Sequence, residues 1–89
     1  MEFVPPVWKV PFERFIEKVQ PEVGGQYDIP VHLVHPTQLD DGVRNVTEFR
    51  PLEVYEINGR FDIIDGNHRY YDALDRRAIT IPCILCDEP

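Results

Sequence analysis

Residues 61–74, FDIIDGNHRYYDAL, predict a β-strand that passes through a tight turn into a helix. Ile63 and Ile64 are β-branched and belong to a short apolar run, which favours a strand. Tyr70, Ala73 and Leu74 recur at helical spacing instead. The turn between the two patterns contains glycine, which bends the backbone without steric cost.

The start of this helix predicts an anion-binding site at Gly66, Asn67, His68 and Arg69. The first amides of a helix have no intrahelical partner and carry the positive end of its dipole, and the two basic side chains add donors in the same turn. A structural alternative stays open from these residues alone. In it, Asp65 or Asn67 caps the helix, Arg69 is solvated and His68 packs against the turn.

The residues before the turn predict a β-hairpin, 52–57 and 60–64, joined by Asn58-Gly59. Asn-Gly supplies the two positive φ angles of a type I′ turn. This register places Val54 opposite Ile63 and Glu56 opposite Phe61, so that one face of the hairpin is apolar and the other is mixed. The apolar face comprises Leu52, Val54, Phe61 and Ile63.

The other predicted elements are helix 11–20, strand 29–34, helix 67–76 and strand 80–85. Phe12, Phe15, Ile16 and Val19 form the apolar stripe of the first helix. Pro82 favours an edge position or a strand start for the last strand.

His32 and His35 are interpreted as ordinary strand-end residues. Residues 1–10 are expected to be extended, and residues 40–50 are expected to hold at most one helical turn. The Asn45-Val46-Thr47 sequence is interpreted as a chance match to a glycosylation acceptor.

The length of 89 residues predicts a single domain over residues 1–89, and the predicted helices and strands make it α+β. Sixteen acidic residues against nine basic ones give a net charge of −7, which disfavours non-specific binding to nucleic acid. No apolar run approaches the roughly 20 residues of a membrane span, and the first residues lack signal-peptide features. The expectation is a cytoplasmic protein without a membrane partner.

Cys83 and Cys86 form a C-x-x-C pair on a predicted strand. Residues three apart on a strand point to opposite faces and lie roughly 10 Å apart, beyond the reach of a disulfide. The sequence shows no second pair of zinc ligands, so free thiols are expected and no metal site is assigned to them.

The stretch from Asn58 through the Asp65-Gly66-Asn67-His68-Arg69 turn to the Ile79–Ile84 strand resembles the ParB/sulfiredoxin superfamily. A weaker match covers Ile29–Leu39. The resemblance implies a small mixed sheet with a β-hairpin and two or three helices, a core position for Leu39, and nucleotide phosphates held at residues 66–69. The turn is most similar to the Asp-Gly-His-His-Arg of the superfamily's free-serine kinases.

The resemblance also implies roles for individual residues. His68 and Arg69 would contact phosphate oxygens of ATP, ADP or CTP, and Asp65 would orient the turn, support Mg²⁺ or act in catalysis. Arg44 and Arg50 would add phosphate contacts, unless they are solvated surface residues. Sulfiredoxins carry their catalytic cysteine where this chain has Asn67, which has no thiolate, so sulfiredoxin activity is not expected.

Three functions remain open at this point. The first is a nucleotide-phosphate-binding domain with phosphotransfer or NTP hydrolysis. The second is a ParB-like nuclease or DNA-associated protein, which would need the carboxylates of Asp62, Asp65 and Asp72 as metal ligands. The third is a non-catalytic protein-interaction domain with a protein partner.

Overall fold

The computed structural model describes residues 10–44 and 50–89, which form a five-stranded mixed sheet with two helices. The strand order is β1-β5-β3-β4-β2. This is the predicted α+β architecture; the expectations for residues 1–9 and for Asn45-Val46-Thr47 lie outside the described residues. The elements are α1 (Phe12–Val19), β1 (Gln26–Pro30), β2 (Val34–His35), β3 (Leu52–Ile57), β4 (Arg60–Asp65), α2 (Asn67–Asp75) and β5 (Thr80–Cys86).

The β3–β4 hairpin confirms the predicted register and turn. Asn58 and Gly59 have φ angles of 49° and 76°, as a type I′ turn requires. Val54 pairs with Ile63, and a bulge lies between Glu53 and Val54. The predicted apolar face is buried, and Leu52, Val54, Phe61 and Ile63 are at most 2% exposed.

Both helices contribute to a single core on this face of the sheet. The ring centroids of Phe12 and Phe15 lie 5.3 and 5.8 Å from that of Phe61, and Tyr70 of α2 is buried in the same cluster. The opposite face of the sheet is only partly covered, as Ile64 remains 40% exposed. None of the helices in the described residues is long and apolar enough to cross a bilayer.

The predicted strand 29–34 is wrong in its boundaries. β1 begins at Gln26 and ends at Pro30, and residues 31–33 form a 3-10 turn before the two-residue β2. β1 pairs with β5 at one edge of the sheet, whereas β2 pairs with β4 at the other. The alternating pattern of residues 29–34 is continuous, but the chain crosses here from one edge of the sheet to the other, and the 3-10 turn makes this crossing possible.

The expectation that Pro82 marks an edge strand or a strand start is also wrong, since β5 lies between β1 and β3. Pro82 is paired with Asp28 of β1, but the pairing of β5 with β3 begins only at Cys83. The proline, which has no N–H to donate, thus occupies the part of an internal strand that has a neighbour on one side only.

Leu39 does not enter the core and is 94% exposed. Thr37 is the anchor of this segment, because its hydroxyl donates to the carbonyl of Ile63 at 2.8 Å. Residues 40–44 contain no helix.

The helix α2 ends one residue earlier than the predicted 76, at Asp75. Arg77 then adopts a left-handed φ of 57°. The amides of Arg77 and Ala78 donate to the carbonyls of Leu74 and Ala73, which is the Schellman pattern of a helix end. An arginine fills the position where glycine is usual.

Candidate functional site

The turn between β4 and α2 requires a glycine. Gly66 is the residue before the first helical turn, has a φ of 114°, and no side chain caps the helix. A Cβ atom at this position would lie 2.8 Å from Nη2 of Arg69 and 2.9 Å from Cγ of Leu52. The capping alternative is therefore not what the structure shows, and the amides of the first turn keep their capacity to bind an anion.

A cleft of about 270 Å³ opens over this helix start. It is lined by Gln38 and by residues 64–69. The cleft thus brings together five residues singled out from the sequence: Asp65, Gly66, Asn67, His68 and Arg69.

Arg69 forms one wall of the cleft and is held loosely. Its side chain is 16% exposed, and Nη2 lies 3.4 Å from Oδ2 of Asp65 and 3.5 Å from the carbonyl of Pro51. Both distances are long for charge-assisted hydrogen bonds. Nε is buried and has no hydrogen-bond partner among the described residues. Because the two Nη2 contacts are long, a ligand in the cleft could compete for this nitrogen.

His68 lies beside the carboxylate of Asp41, a residue outside the cleft lining. Its Nε2 lies 3.5 Å from Oδ2 of Asp41. The pKa of Asp41 is lowered, chiefly because its carboxylate accepts a hydrogen bond from the amide of Val43, with a smaller contribution from His68. Each of the two basic side chains of the turn is thus accompanied by an acidic one.

Asn67 uses its side chain inside the protein. Its Oδ1 accepts hydrogen bonds from the amides of Thr37 at 2.9 Å and Gln38 at 3.3 Å, and its Nδ2 donates to the hydroxyl of Thr37. The residue is 7% exposed. What Asn67 can offer a ligand is therefore its backbone amide rather than its side chain.

Residues 36–44, here called the flanking loop, are fastened to α2 by further polar contacts. The hydroxyl of Tyr71 donates to the carbonyl of Gln38 at 2.7 Å. Arg44 contacts the carboxylates of Asp40 and Asp75, both at 2.6 Å, and lies 5.6 Å from the ring centre of Tyr71. The hydrogen bond from Arg44 is the main reason that the pKa of Asp40 falls to about 2.

The two additional arginines that the sequence suggested lie outside the cleft lining. Arg44 fastens the flanking loop, and its own pKa is raised by its hydrogen bonds to Asp40 and Asp75. Arg50 lines a separate groove on the other side of Arg69. The sequence interpretation missed Gln38 and Asp41, although the Pro36-Thr37-Gln38-Leu39 turn indicated a structured segment here.

Comparison with solved structures identifies the fold. Sulfiredoxin from Arabidopsis thaliana superimposes with a TM-score of 0.54 and 18% identity, covering 72% of this chain and 86% of that one. The C-terminally truncated chromosome-partitioning protein ParB from Caulobacter crescentus, complexed with CTP-γ-S, gives 0.57 and 17%, covering 74% and 46%. A conserved hypothetical protein from Pyrococcus furiosus gives 0.58 and 22%, covering 74% and 34%.

The chain has a ParB/sulfiredoxin-like fold. The predicted resemblance is confirmed at the level of the fold, whereas the similarity to free-serine kinases stays a prediction. The chain spans less than half the length of the ParB and Pyrococcus structures. No family model matches it, and no curated protein matches it.

Neither cysteine of β5 lines the cleft of this ParB/sulfiredoxin-like chain. Both are free thiols. Cys83 is fully buried, and burial raises its pKa to about 12, so it would not supply a thiolate at neutral pH.

The carboxylates considered for a nuclease are dispersed rather than gathered. Asp62 pairs with Arg60 at 2.7 Å, Asp72 with Arg76 at 3.0 Å, and Asp65 with Arg69. The described residues contain no group of three His, Cys, Asp or Glu side chains that could hold a metal ion. Of these three carboxylates only that of Asp65 lines the cleft, so a Mg²⁺ ion held there would need the phosphates of a nucleotide for most of its ligands.

Proposed function

We propose that the cleft at the start of α2 binds the phosphates of a nucleoside di- or triphosphate, ATP, ADP or CTP, with Mg²⁺. The observation that carries the proposal is an uncapped helix start flanked by two basic side chains, His68 and Arg69, each beside a single carboxylate. The ParB structure of the same fold is described as a complex with CTP-γ-S, which supports a nucleotide as the ligand.

The two carboxylates beside the basic side chains offer anionic acceptor oxygens, as a bound phosphate would. Asp41 accompanies His68, and Asp65 accompanies Arg69. Both carboxylates are more than half exposed, and exposed ion pairs contribute little, about 0 to 1 kcal/mol. A phosphate group, which carries more charge and more acceptor oxygens, would replace them at small cost.

Asp65 is the only carboxylate in the described lining of the cleft. In the proposed complex it would stand beside Mg²⁺ or accept a proton from an attacking hydroxyl or water. Phosphotransfer or NTP hydrolysis is thus the chemistry proposed for this site, with Asp65 in that role. Its carboxylate is 58% exposed, so it is accessible to a second substrate.

The test is a calorimetric titration of ATP, ADP and CTP, each with Mg²⁺, into the wild type and the double variant His68→Ala, Arg69→Ala. Charge-assisted contacts contribute roughly 1.5 to 3 kcal/mol each, so the variant should lose at least about 100-fold in affinity. Arg77→Ala, which removes a charge at the far end of α2, is the matched control and should bind as the wild type does. Circular dichroism checks that each variant folds.

A second variant raises affinity instead of lowering it. Asp41→Asn removes the negative charge beside His68, so nucleotide binding should tighten several-fold because that carboxylate no longer competes with the phosphate at His68. If no nucleotide binds the wild type below about millimolar concentration, or the double variant binds equally well, the turn is structural. The protein-interaction hypothesis then replaces nucleotide binding.

A further inference from the structure

Residues 40–44 of the flanking loop form a small unit whose polar groups bond to one another. The carboxylate of Asp40 accepts hydrogen bonds from both terminal nitrogens of Arg44, at 2.6 and 2.8 Å, which is the bidentate arrangement of a strong arginine–carboxylate pair. Oδ1 of Asp41 accepts a hydrogen bond from the amide of Val43 at 2.9 Å. The position of any one of these side chains therefore depends on the position of the whole unit.

The unit contacts α2 near both ends of the helix. At the helix start, Oδ2 of Asp41 lies 3.5 Å from Nε2 of His68. At the helix end, Nε of Arg44 donates to Oδ2 of Asp75 at 2.6 Å. His68 and Asp75 are two helical turns apart, about 10 Å along the axis. The shorter of the two contacts thus lies at the end of α2 that is remote from the cleft.

The contact at His68 is too weak to hold Asp41 in place on its own. The side chains of His68 and Asp41 are 44% and 56% exposed, and ion pairs of this kind contribute little. The side chain of Arg44 is only 25% exposed and reaches two carboxylates, both at 2.6 Å. The anchor at Arg44 therefore determines whether Asp41 stays beside His68.

We propose that Arg44 is a positioning residue that holds the carboxylate of Asp41 against His68, where it competes with phosphate. A competing group that belongs to the same chain acts at a high effective concentration, and that concentration falls when its tether is lost. The anchor thus lowers the affinity of the cleft for phosphate, although it lies outside the cleft lining. This inference rests on the proposed function, because it concerns the regulation of the same cleft.

The effect of Arg44→Gln alone would mix two contributions. Loss of the anchor should strengthen phosphate binding, whereas loss of a nearby positive charge should weaken it. A double-mutant cycle separates them, because the general effect of the charge cancels when the same second substitution is compared in two backgrounds. The second substitution is Asp41→Asn, which removes the competing carboxylate in either background.

The experiment is a calorimetric titration of ATP and of CTP, each with Mg²⁺ and at one pH, into the wild type, both single variants and the double variant. In the wild-type background Asp41→Asn should tighten binding about fivefold, the effect of one unit charge at about 4 Å in water. In the Arg44→Gln background the same substitution should change affinity by less than about twofold. Equal gains in the two backgrounds would overturn the proposal.

The matched background is Arg77→Gln. It removes the same charge just beyond the end of α2, from a residue that takes no part in the contacts described for residues 40–44. The gain from Asp41→Asn should remain about fivefold there. A gain that shrinks equally with Arg77→Gln would show that the charge, and not the anchor, is responsible.

A measurement without nucleotide tests the anchor separately. The ¹⁵N resonances of the His68 ring should shift in the same direction in Asp41→Asn and in Arg44→Gln, because both take the carboxylate away from the ring, and should stay unchanged in Arg77→Gln. Backbone amide spectra report whether each variant is folded. A response to Asp41→Asn without one to Arg44→Gln would overturn the role of Arg44.

The two kinds of measurement distinguish this inference from the proposed function. If the ring resonances respond as expected but no nucleotide binds the wild type or Asp41→Asn, nucleotide binding is wrong and competition with phosphate is overturned with it. If nucleotides bind and the cycle shows no coupling, the cleft binds phosphate and Arg44 does not regulate it.

Discussion

The two structures that flank the start of α2 are held in place by different forces. The β3–β4 hairpin is fixed by a backbone ladder and by side chains that are almost fully buried. The flanking loop, residues 36–44, is fixed by hydrogen bonds and ion pairs, and its large apolar residues, Leu39 and Val43, are 94% and 45% exposed. Gly66 is therefore positioned by the core, whereas the opposite wall of the cleft depends on polar contacts that ligands, salt and pH can alter.

The largest effect is expected on the hairpin side. Replacing Asn58 and Gly59 by valine should lower the free energy of unfolding by about 1 to 3 kcal/mol, because β-branched residues strongly disfavour the positive φ angles of this turn. Urea denaturation followed by circular dichroism measures the change. Asn58→Asp with Gly59 retained is the control and should be near neutral, since Asp-Gly also suits a type I′ turn. An unchanged midpoint for the double valine variant would contradict this.

A smaller effect is expected from Asn67→Ala, which detaches the flanking loop. The amides of Thr37 and Gln38 lose their shared acceptor, and the loss should destabilise the protein by about 1 to 2 kcal/mol. Hydrogen exchange should accelerate at residues 37 and 38, while the hairpin amides change less.

Asn67→Asp is the matched variant for this experiment. Aspartate keeps an acceptor oxygen for the two amides and loses only the donor to the Thr37 hydroxyl, and a negative charge in the first turn of a helix is favourable. Exchange at residues 37 and 38 should therefore remain closer to the wild type. Equal acceleration in both variants would show that the acceptor oxygen does not hold the loop.

The same contrast explains what could be predicted from the sequence. The hairpin was predictable because Asn58-Gly59 dictates a local turn geometry and alternation then determines which residues are buried. The turn at Gly66 was predictable for a similar reason, since the period of the apolar pattern changes there. Local signals of this kind need no knowledge of the rest of the fold.

The flanking loop was not predictable because its contacts join residues about 30 positions apart. The side chain of Asn67 bonds to Thr37, and Arg44 bonds to Asp75. The strand predicted over residues 29–34 failed for a related reason, as its two ends belong to β1 and β2, which are the strands at opposite edges of the sheet. The fold was thus accessible from pattern, whereas the partners of individual polar side chains in the site were not.

The smallest expected effect is a pH-dependent release of the flanking loop. The pKa of Asp40 is lowered from its usual 3.8 to about 2, mainly by its hydrogen bond with Arg44. A group whose pKa is depressed in the folded state contributes stability above its unfolded pKa and loses that contribution as pH falls through the folded value. The contact between Asp40 and Arg44 should therefore be intact above about pH 4 and should be lost progressively towards pH 2. Amide chemical shifts of residues 40–44 should report this transition, with the hairpin amides showing that the core remains folded.

The control is Asp40→Asn, in which this carboxylate is absent, so the part of the transition that belongs to the contact with Arg44 should disappear. If the variant titrates as the wild type does, the loop is released by another carboxylate, of which Asp41 is the nearest in sequence.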